Sequence, residues 1–203
     1  MTSEERVASA FRTALRSVDD VATELPFLSA CVKETLRLYP PVPFIGRRST
    51  ASATVGKVAG KQVLVPEAAI MCWSPWYLGR DPRHWAAPAD EFRPTRWLKE
   101  HQDFLSPSTG NPRSSYSWLP FGAGPRGCLG TRLGLNEAVV ATAYLLASFD
   151  FDFEKSGQST AEPTLLEKLM GKQKGELEFT YDLTLNLEGS VIADVKKRQS
   201  FSP

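Results

Sequence analysis

The 203 residues suffice for one domain or a large subdomain, and 42% hydrophobic with 23% charged residues is an ordinary globular composition. Because 24 basic residues are balanced by 23 acidic ones, the formal net charge of +1 gives no overall field that would attract nucleic acid or an anionic membrane. Cys31, Cys72 and Cys128 are odd in number and widely spaced, which argues against a disulfide framework or a zinc site. No apolar run approaches the roughly 20 residues of a membrane helix, and the N-terminus lacks the apolar core of a signal peptide.

The first part of the chain predicts two helices and a small sheet. Residues 3–17 carry apolar side chains at helical spacing. A second helix is expected to have Pro26 in its first turn and to end before Pro40 and Pro41. Residues 54–71 mix β-branched side chains with two glycines and a proline, a pattern typical of two or three short strands joined by tight turns.

The second part predicts irregular loops, one long helix and C-terminal strands. Proline and glycine interrupt residues 73–115 too often for a long helix. The apolar spacing of residues 131–149 predicts the longest helix of the chain, and the alternating FDFDF that follows predicts a strand. Residues 154–178 are interpreted as a mobile polar insertion. Residues 181–195 predict a hairpin closed by a short turn at Gly189.

A glycine-rich stretch, FGAGPRGCLG at residues 121–130, surrounds Cys128. Glycine is used where the backbone takes positive φ or lets a large group approach closely, so this composition suggests a docked ligand. A thiol just before a long helix faces free N–H groups, which favour the thiolate of a nucleophile, a redox thiol or a metal ligand. Neither His84 nor His101 has a flanking pattern that marks it as a catalytic base, and this weakens the case for covalent catalysis.

The remaining interpretation is a Cys128 thiolate bonded to a large, flat metal cofactor. Phe121 would then shield the sulfur, and Arg126 would reach an anionic edge of the cofactor. The loop would lie against the macrocycle at three glycines: Gly122, Gly124 and Gly127.

A second group of charged residues is expected to support this loop. Glu34 and Arg37 are three residues apart on one helix face, where they can form a salt bridge. Arg96, in the segment FRPTRW, offers a planar fork able to bind Glu34 from a distant part of the chain. The three residues together would pin the irregular region that carries the cysteine.

These motifs resemble those of the cytochrome P450 superfamily. The cysteine stretch matches the haem-binding loop F-x-x-G-x-R-x-C-x-G at Phe121, Gly124, Arg126, Cys128 and Gly130. Glu34-Thr35-Leu36-Arg37 resembles the family's E-x-x-R, and FRPTRW resembles its F-x-P-E-R-F/W, with Thr95 replacing the usual acid. All three motifs occur in family order, and the resemblance covers residues 21–198 in the manner of the microsomal eukaryotic branch.

The resemblance implies an α+β fold, the C-terminal portion of the family's fold, with residues 1–203 as a single partial domain. It implies haem as cofactor, with Cys128 as the ligand of the iron, and an endoplasmic reticulum membrane location for the complete enzyme. The complete enzyme would insert one oxygen atom from O₂ into an apolar small-molecule substrate, using NADPH electrons delivered by a NADPH–cytochrome P450 reductase. The cofactor-binding residues that it implies are Cys128, Arg126, Phe121, Gly122, Gly124 and Gly130. Glu34, Arg37 and Arg96 would form a structural triad, and either Arg47 or Arg48 would meet a haem propionate.

The family's distal segment, A/G-G-x-D/E-T-T/S, does not occur in these 203 residues. We therefore expect no catalytic residue in the chain and no activity from the chain alone. The alternative hypothesis is a non-catalytic fragment that holds haem weakly or serves only in protein association. Ala68 stands where the family more often has glycine, and Gly134 where it has alanine, which we expect to affect local stability only.

Overall fold

The structure is a computed structural model that describes residue 9 and residues 24–153, 178–181, 184–188 and 191–198. The helix predicted over residues 3–17 and the insertion predicted over residues 154–178 lie outside the described residues, apart from Ser9 and Glu178. The described part combines α-helices with small antiparallel sheets. The predicted α+β class is confirmed.

Two of the three α-helices in this part of the chain were predicted from proline and apolar spacing. Helix α1 spans Pro26–Leu38, α2 is a single turn at Pro75–Leu78, and α3 spans Thr131–Ser148. Pro26 sits in the first turn of α1, where a missing N–H costs nothing. The chain leaves α1 at Tyr39, whose amide donates to the Thr35 carbonyl at 2.7 Å, and Pro40 cannot continue the helical bonds.

The region between α2 and α3 is irregular, as its prolines and glycines predicted. Four 3₁₀ turns occur within it, at Pro94–Trp97, Gln102–Phe104, Ser115–Ser117 and Gly124–Arg126. The Ser115–Ser117 turn is capped by the Ser114 hydroxyl, which accepts from the Tyr116 amide at 3.3 Å. These turns carry the chain from the charged residues near Arg96 to the cysteine stretch.

The sheet predicted near residues 54–71 forms as two separate two-stranded pairs. Strand β1, Ile45–Arg48, pairs with β4, Ile70–Trp73, and β2, Ala53–Val58, pairs with β3, Lys61–Val65. Both pairs are antiparallel. The turn between β2 and β3 contains Gly60 at φ +79°, a backbone conformation that glycine adopts without strain.

The C-terminal strands pair differently from the prediction. Strand β5, Phe149–Asp152, pairs with β8, Asp194–Lys197, while β6, Glu178–Tyr181, pairs with β7, Leu185–Glu188. A C-terminal hairpin is present as β6–β7, but its connection covers residues 182–184, so the predicted closure at Gly189 is wrong.

The physical reason is the exposed edge of β5, which follows directly from α3 and needs a partner strand. Strand β8 supplies that partner, and Arg198 at its end fixes the register. The Arg198 amide donates to the Ser148 carbonyl at 2.9 Å, and its Nε donates to Asp150 Oδ1 at 2.7 Å. The basic C-terminal segment is therefore bound to the fold as far as Arg198.

Helices α1 and α3 pack against each other around Val139, which is buried. The partly buried side chains packed on Val139 are Leu25, Leu28, Val32 and Val140. Full burial of an aliphatic side chain such as Val139 contributes about 1.5–3 kcal/mol, and the partly buried side chains contribute less. The helix that carries Glu34 and Arg37 is thereby fixed against the helix that begins just after Cys128. No helix within the described residues has both the length and the apolar character needed to cross a membrane.

Candidate functional site

Residues 121–130, called here the cysteine loop, fold back on themselves in front of α3. The Cys128 amide donates to the Phe121 carbonyl at 2.9 Å, and the Gly127 amide donates to the Gly124 carbonyl at 2.9 Å. The Thr131 hydroxyl donates to the Cys128 carbonyl at 2.8 Å and joins the loop to the first residue of α3. Cys128 itself is exposed, so its sulfur stands at the surface on a backbone held from both sides.

Two glycines of the loop are required by their backbone conformation. Gly122 has φ +70° and Gly124 has φ +68°, in the left-handed region where other L-residues are strained. A Cβ at Gly124 would meet nothing within 4 Å, so its torsion, not crowding, selects glycine there. A Cβ at Gly130 would lie 3.8 Å from Cys128 Sγ, which is ordinary contact. The result is a loop face without side chains beside the sulfur.

Phe121 anchors the beginning of the loop. Its half-buried ring packs edge-on against Trp118, with ring centroids 6.2 Å apart. A Cβ at Gly134 would lie 3.9 Å from the Phe121 ring, which therefore also rests on the first turns of α3. The glycine at position 134 leaves room for this contact.

The arginines proposed to face an anionic group are all at the surface. Arg126 ends the 3₁₀ turn inside the loop and is exposed. Arg47 and Arg48 lie at the end of β1, also exposed. The Arg47 guanidinium lies 5.3 Å from the Trp73 ring centroid, and its Nη1 donates to the Gly46 carbonyl at 2.9 Å.

Glu34 is the centre of a buried group of charges. Its carboxylate has no exposed area and binds Arg37 through two bonds, from Nη2 to Oε1 at 2.7 Å and from Nε to Oε2 at 2.8 Å. Oε1 also accepts from the Arg93 amide at 2.8 Å, and Oε2 accepts from Trp97 Nε1 at 2.9 Å. This two-pronged arginine–carboxylate geometry is the strongest form of ion pair in proteins.

Arg96 is buried beside the same carboxylate. Its Nε lies 3.4 Å from Glu34 Oε1 as an ion pair but makes no hydrogen bond within the described residues. Nη1 donates to the Ala86 carbonyl at 2.6 Å, and Nη2 donates to the Pro88 carbonyl at 2.7 Å. Burial, reinforced by the charge of Arg37, lowers the pKa of Arg96. The structure thus brings together the three predicted residues Glu34, Arg37 and Arg96, called here the ion network.

Arg37 extends the ion network to a segment that sequence reasoning did not include. Its guanidinium donates to the carbonyls of Gly79 and Ala89, and to that of Glu91 at 3.0 Å. A Cβ at Gly79 would collide with the Arg37 carbonyl, so only glycine fits there. Nothing in the sequence around Gly79 indicated that its backbone would pack against Arg37.

Four aromatic rings connect the ion network to the cysteine loop. They form a continuous row, called here the aromatic row: Trp85, Trp97, Trp118 and Phe121. Centroid distances along the row are 5.3 Å, 5.2 Å and 6.2 Å. Trp97 also donates to Glu34, so the row begins within the network and ends at the loop. The link between the predicted charges and the predicted cysteine is therefore aromatic packing, which the sequence analysis did not identify.

The side chains that commonly bind metal ions do not cluster in the described part of the chain. No group of three or more His, Cys, Asp or Glu side chains there could enclose a metal ion. His84 is half-buried and His101 is exposed. A single thiolate suits an axial ligand of a cofactor that brings its own metal ligands.

The whole-chain comparisons agree with the motifs. The chain matches the family described as Cytochrome P450 over residues 5–179. A 6,7,8-trihydroxycoumarin synthase of Pastinaca sativa is 33% identical over 173 residues, covering 82% of this chain and 33% of the relative. A cytochrome P450 monooxygenase of Gibberella zeae is 37% identical over 150 residues, covering 72% and 30% of the two chains. A cytochrome P450 of Caenorhabditis elegans is 42% identical over 135 residues, covering 66% and 23%.

The chain spans about a third or less of the length of these relatives. The family match nevertheless covers most of the present sequence, and the α+β fold and the order of the three motifs agree with it. The resemblance stated from the motifs is confirmed: this chain belongs to the cytochrome P450 family.

Proposed function

We propose that the chain is the haem-binding, C-terminal part of a haem-thiolate monooxygenase. In the complete protein, one oxygen atom from O₂ would be inserted into an apolar small molecule. The observation that carries the proposal is the cysteine loop, in which an exposed Cys128 thiol stands on a backbone held by the Phe121 carbonyl and the Thr131 hydroxyl.

The residues of the loop fit a haem group. Cys128 would bind the iron as its thiolate ligand, and the glycine face beside its sulfur leaves the approach of a flat macrocycle open. Phe121 would cover the sulfur from the side of α3. Arg126, with either Arg47 or Arg48, would bind the propionates, since each is an exposed cation.

The haem, when bound, supplies oxygen activation, and a thiolate ligand favours cleavage of the O–O bond. The chain's own residues would hold the ligand in position. The Cys128 amide donates to the Phe121 carbonyl, so the ligand's backbone is fixed within the loop itself. The ion network does not touch the loop directly. It supports the loop through the aromatic row, from Trp97 to Trp118 to Phe121.

The partners follow from the same proposal. Electrons would come from NADPH through a NADPH–cytochrome P450 reductase, and the complete protein would reside at the endoplasmic reticulum membrane. The monooxygenase name of the Gibberella zeae relative supports the type of reaction. The substrate would be an apolar small molecule.

A second candidate function is protein association without monooxygenase activity. It is favoured by the apolar side chains that α3 exposes, Leu133, Leu145 and Leu146. Contiguous exposed apolar patches mark surfaces that another chain covers. Turnover assays separate the candidates: NADPH-dependent product formation by the chain with a matching N-terminal half supports the enzyme, and association without haem uptake supports the second candidate.

The test of haem ligation is the spectrum of the reduced carbonyl complex. With Cys128 as thiolate ligand, the chain loaded with haem should show the strongly red-shifted Soret band of the family. Cys128→Ser should abolish the band. Cys72→Ser is the matched control, because Cys72 is also an exposed free thiol, and it should leave the band unchanged. A red-shifted band in Cys128→Ser would refute the proposal.

A further inference from the structure

Arg113 lies against the aromatic row, in a segment outside every motif of the sequence analysis. Its guanidinium lies 4.4 Å from the Trp85 ring centroid and 5.8 Å from the Trp97 centroid. The Phe104 ring is a third aromatic contact, also at 5.8 Å. A guanidinium stacked among rings is attracted by their faces, most strongly when water is excluded.

Among the described residues, the hydrogen bonds of the Arg113 side chain all go to backbone carbonyls. Nη1 donates to the Asp103 carbonyl at 2.7 Å and to that of Leu105 at 3.5 Å, and Nη2 donates to the Arg96 carbonyl. The carboxylate of Asp103 is engaged elsewhere, since Oδ2 accepts from the Thr95 hydroxyl at 2.9 Å. The cation is therefore held by dipoles and rings, in a geometry that requires a planar fork.

Electrostatics agrees with this placement. Burial lowers the pKa of Arg113 to about 10, and the charge of Arg96 adds to the effect. The group stays protonated at neutral pH, so it remains a donor and a cation under working conditions. A desolvated cation next to two other buried arginines, Arg37 and Arg96, is costly unless its bonds are all in place.

The chain runs from Arg113 directly toward the cysteine loop. Ser114 caps the next turn, and Trp118, one residue beyond that turn, packs on Trp97 with centroids 5.2 Å apart. Phe121 then packs on Trp118 and opens the loop. Arg113 thus contacts the Arg96 carbonyl and the Trp97 ring, and it is also the residue at which the segment leading to Cys128 begins.

We propose that Arg113 is a positioning residue for the cysteine loop, acting through Trp97, Trp118 and Phe121 on the orientation of Cys128. The proposal rests on the proposed function in assigning that orientation to haem ligation. A lysine at this position would keep the charge but would lack the planar fork that reaches the separate carbonyls and packs on Trp85. Arg113→Lys is therefore the informative substitution.

The experiment reports on Cys128 without haem. A trifluoromethyl label is attached to Cys128 in a background of Cys31→Ser and Cys72→Ser, and its ¹⁹F resonance is recorded under conditions where each variant is folded by circular dichroism. Arg113→Lys should shift or broaden the resonance of the folded protein. The matched control is Arg83→Lys, because the Arg83 side chain is 80% exposed and pairs only with Asp81 among the bonds described, and its resonance should not change.

A role in stability alone would lower the unfolding midpoint of Arg113→Lys and leave the folded resonance unchanged, and that result would overturn the proposal. Should Arg113→Lys fail to fold, Trp118→Leu tests the same path. An unchanged resonance in that variant would also overturn it, since the effect of Arg113 is assigned to Trp118.

The haem-loaded chain separates this inference from the proposed function. Arg113→Lys should lose part of the red-shifted carbonyl band that the wild-type chain shows, while Arg83→Lys retains it. If the wild-type chain lacks that band, the proposed function fails. The ¹⁹F comparison still decides the role of Arg113.

Discussion

Replacement of Glu34 by glutamine is the perturbation that isolates the charge at the centre of the ion network. The shape of the side chain is preserved, and one carboxylate oxygen becomes an NH₂ group. Oε1 accepts from Arg37 Nη2 and the Arg93 amide, and Oε2 accepts from Arg37 Nε and Trp97 Nε1. Whichever way the amide is oriented, its NH₂ group faces two donors.

The magnitude follows from those contacts. Losing one bond to a charged partner and leaving a buried donor unsatisfied costs about 1–3 kcal/mol for each group. Breaking a buried ion pair from one side costs about 3–5 kcal/mol, because the remaining charge is uncompensated. Since the two estimates describe the same bonds, we expect Glu34→Gln to lower the free energy of unfolding by about 3–5 kcal/mol. Arg37 and Arg96, both buried, would lose the carboxylate with which they form ion pairs.

The assay is urea unfolding followed by tryptophan fluorescence. Glu91→Gln is the matched control, because the Glu91 carboxylate is 51% exposed and pairs with the partly exposed Arg93. An exposed pair of this kind contributes at most about 1 kcal/mol. If Glu34→Gln loses no more free energy of unfolding than Glu91→Gln, the buried charge of Glu34 does not stabilise the ion network.

Three further outcomes are expected. Arg96→Lys should lower the free energy of unfolding, measured in urea, by at least about 2 kcal/mol. The reason is that an ammonium cannot donate to the Ala86 and Pro88 carbonyls while also pairing with Glu34. Wild-type stability in this variant would mean that the guanidinium fork is dispensable. Ala68→Gly should raise the thermal unfolding midpoint and stabilise the protein by about 0.5–1 kcal/mol. Ala68 has φ +63°, and this left-handed conformation is less favourable for alanine than for glycine. A lowered midpoint would contradict this. Hydrogen bonds from Arg83 lower the pKa of Asp81 to about 2, so its stabilisation should be complete above about pH 4 and be lost as the pH falls toward 2. The difference in unfolding free energy between wild type and Asp81→Asn should shrink over that range, and a constant difference would count against the assignment.

Local patterns were sufficient where one segment determines its own structure. The limits of α1 follow from Pro26 and Pro40, and α3 follows from its apolar spacing over residues 131–149. The cysteine loop has a spacing specific enough to be recognised from residues 121–130 alone. For the same reason, Glu34 and Arg37 were expected to pair, since helix geometry places them side by side.

Strand pairing at the C-terminus could not be obtained in this way. Several alternating segments were available, and a glycine turn at position 189 favoured the local hairpin. The outcome depends on β5, which continues directly from α3 and pairs with the distant strand β8. A pattern of alternating residues predicts a strand but not the distant strand with which it pairs.

The role of Arg113 was also beyond sequence reasoning. It is a single arginine in a polar loop, and the rings around it, Trp85, Trp97 and Phe104, come from three separate segments. The same holds for Gly79, where the approach of the Arg37 backbone is a tertiary contact. Such residues are found only when the path of the irregular chain is known.

The most direct test of the account is X-ray absorption at the iron edge of the haem-loaded chain. We expect a sulfur atom in the first coordination shell of iron in the wild-type chain and in Cys72→Ser, and its loss in Cys128→Ser. A sulfur ligand that persists in Cys128→Ser, or a wild-type iron with only nitrogen and oxygen ligands, would contradict the assignment of Cys128.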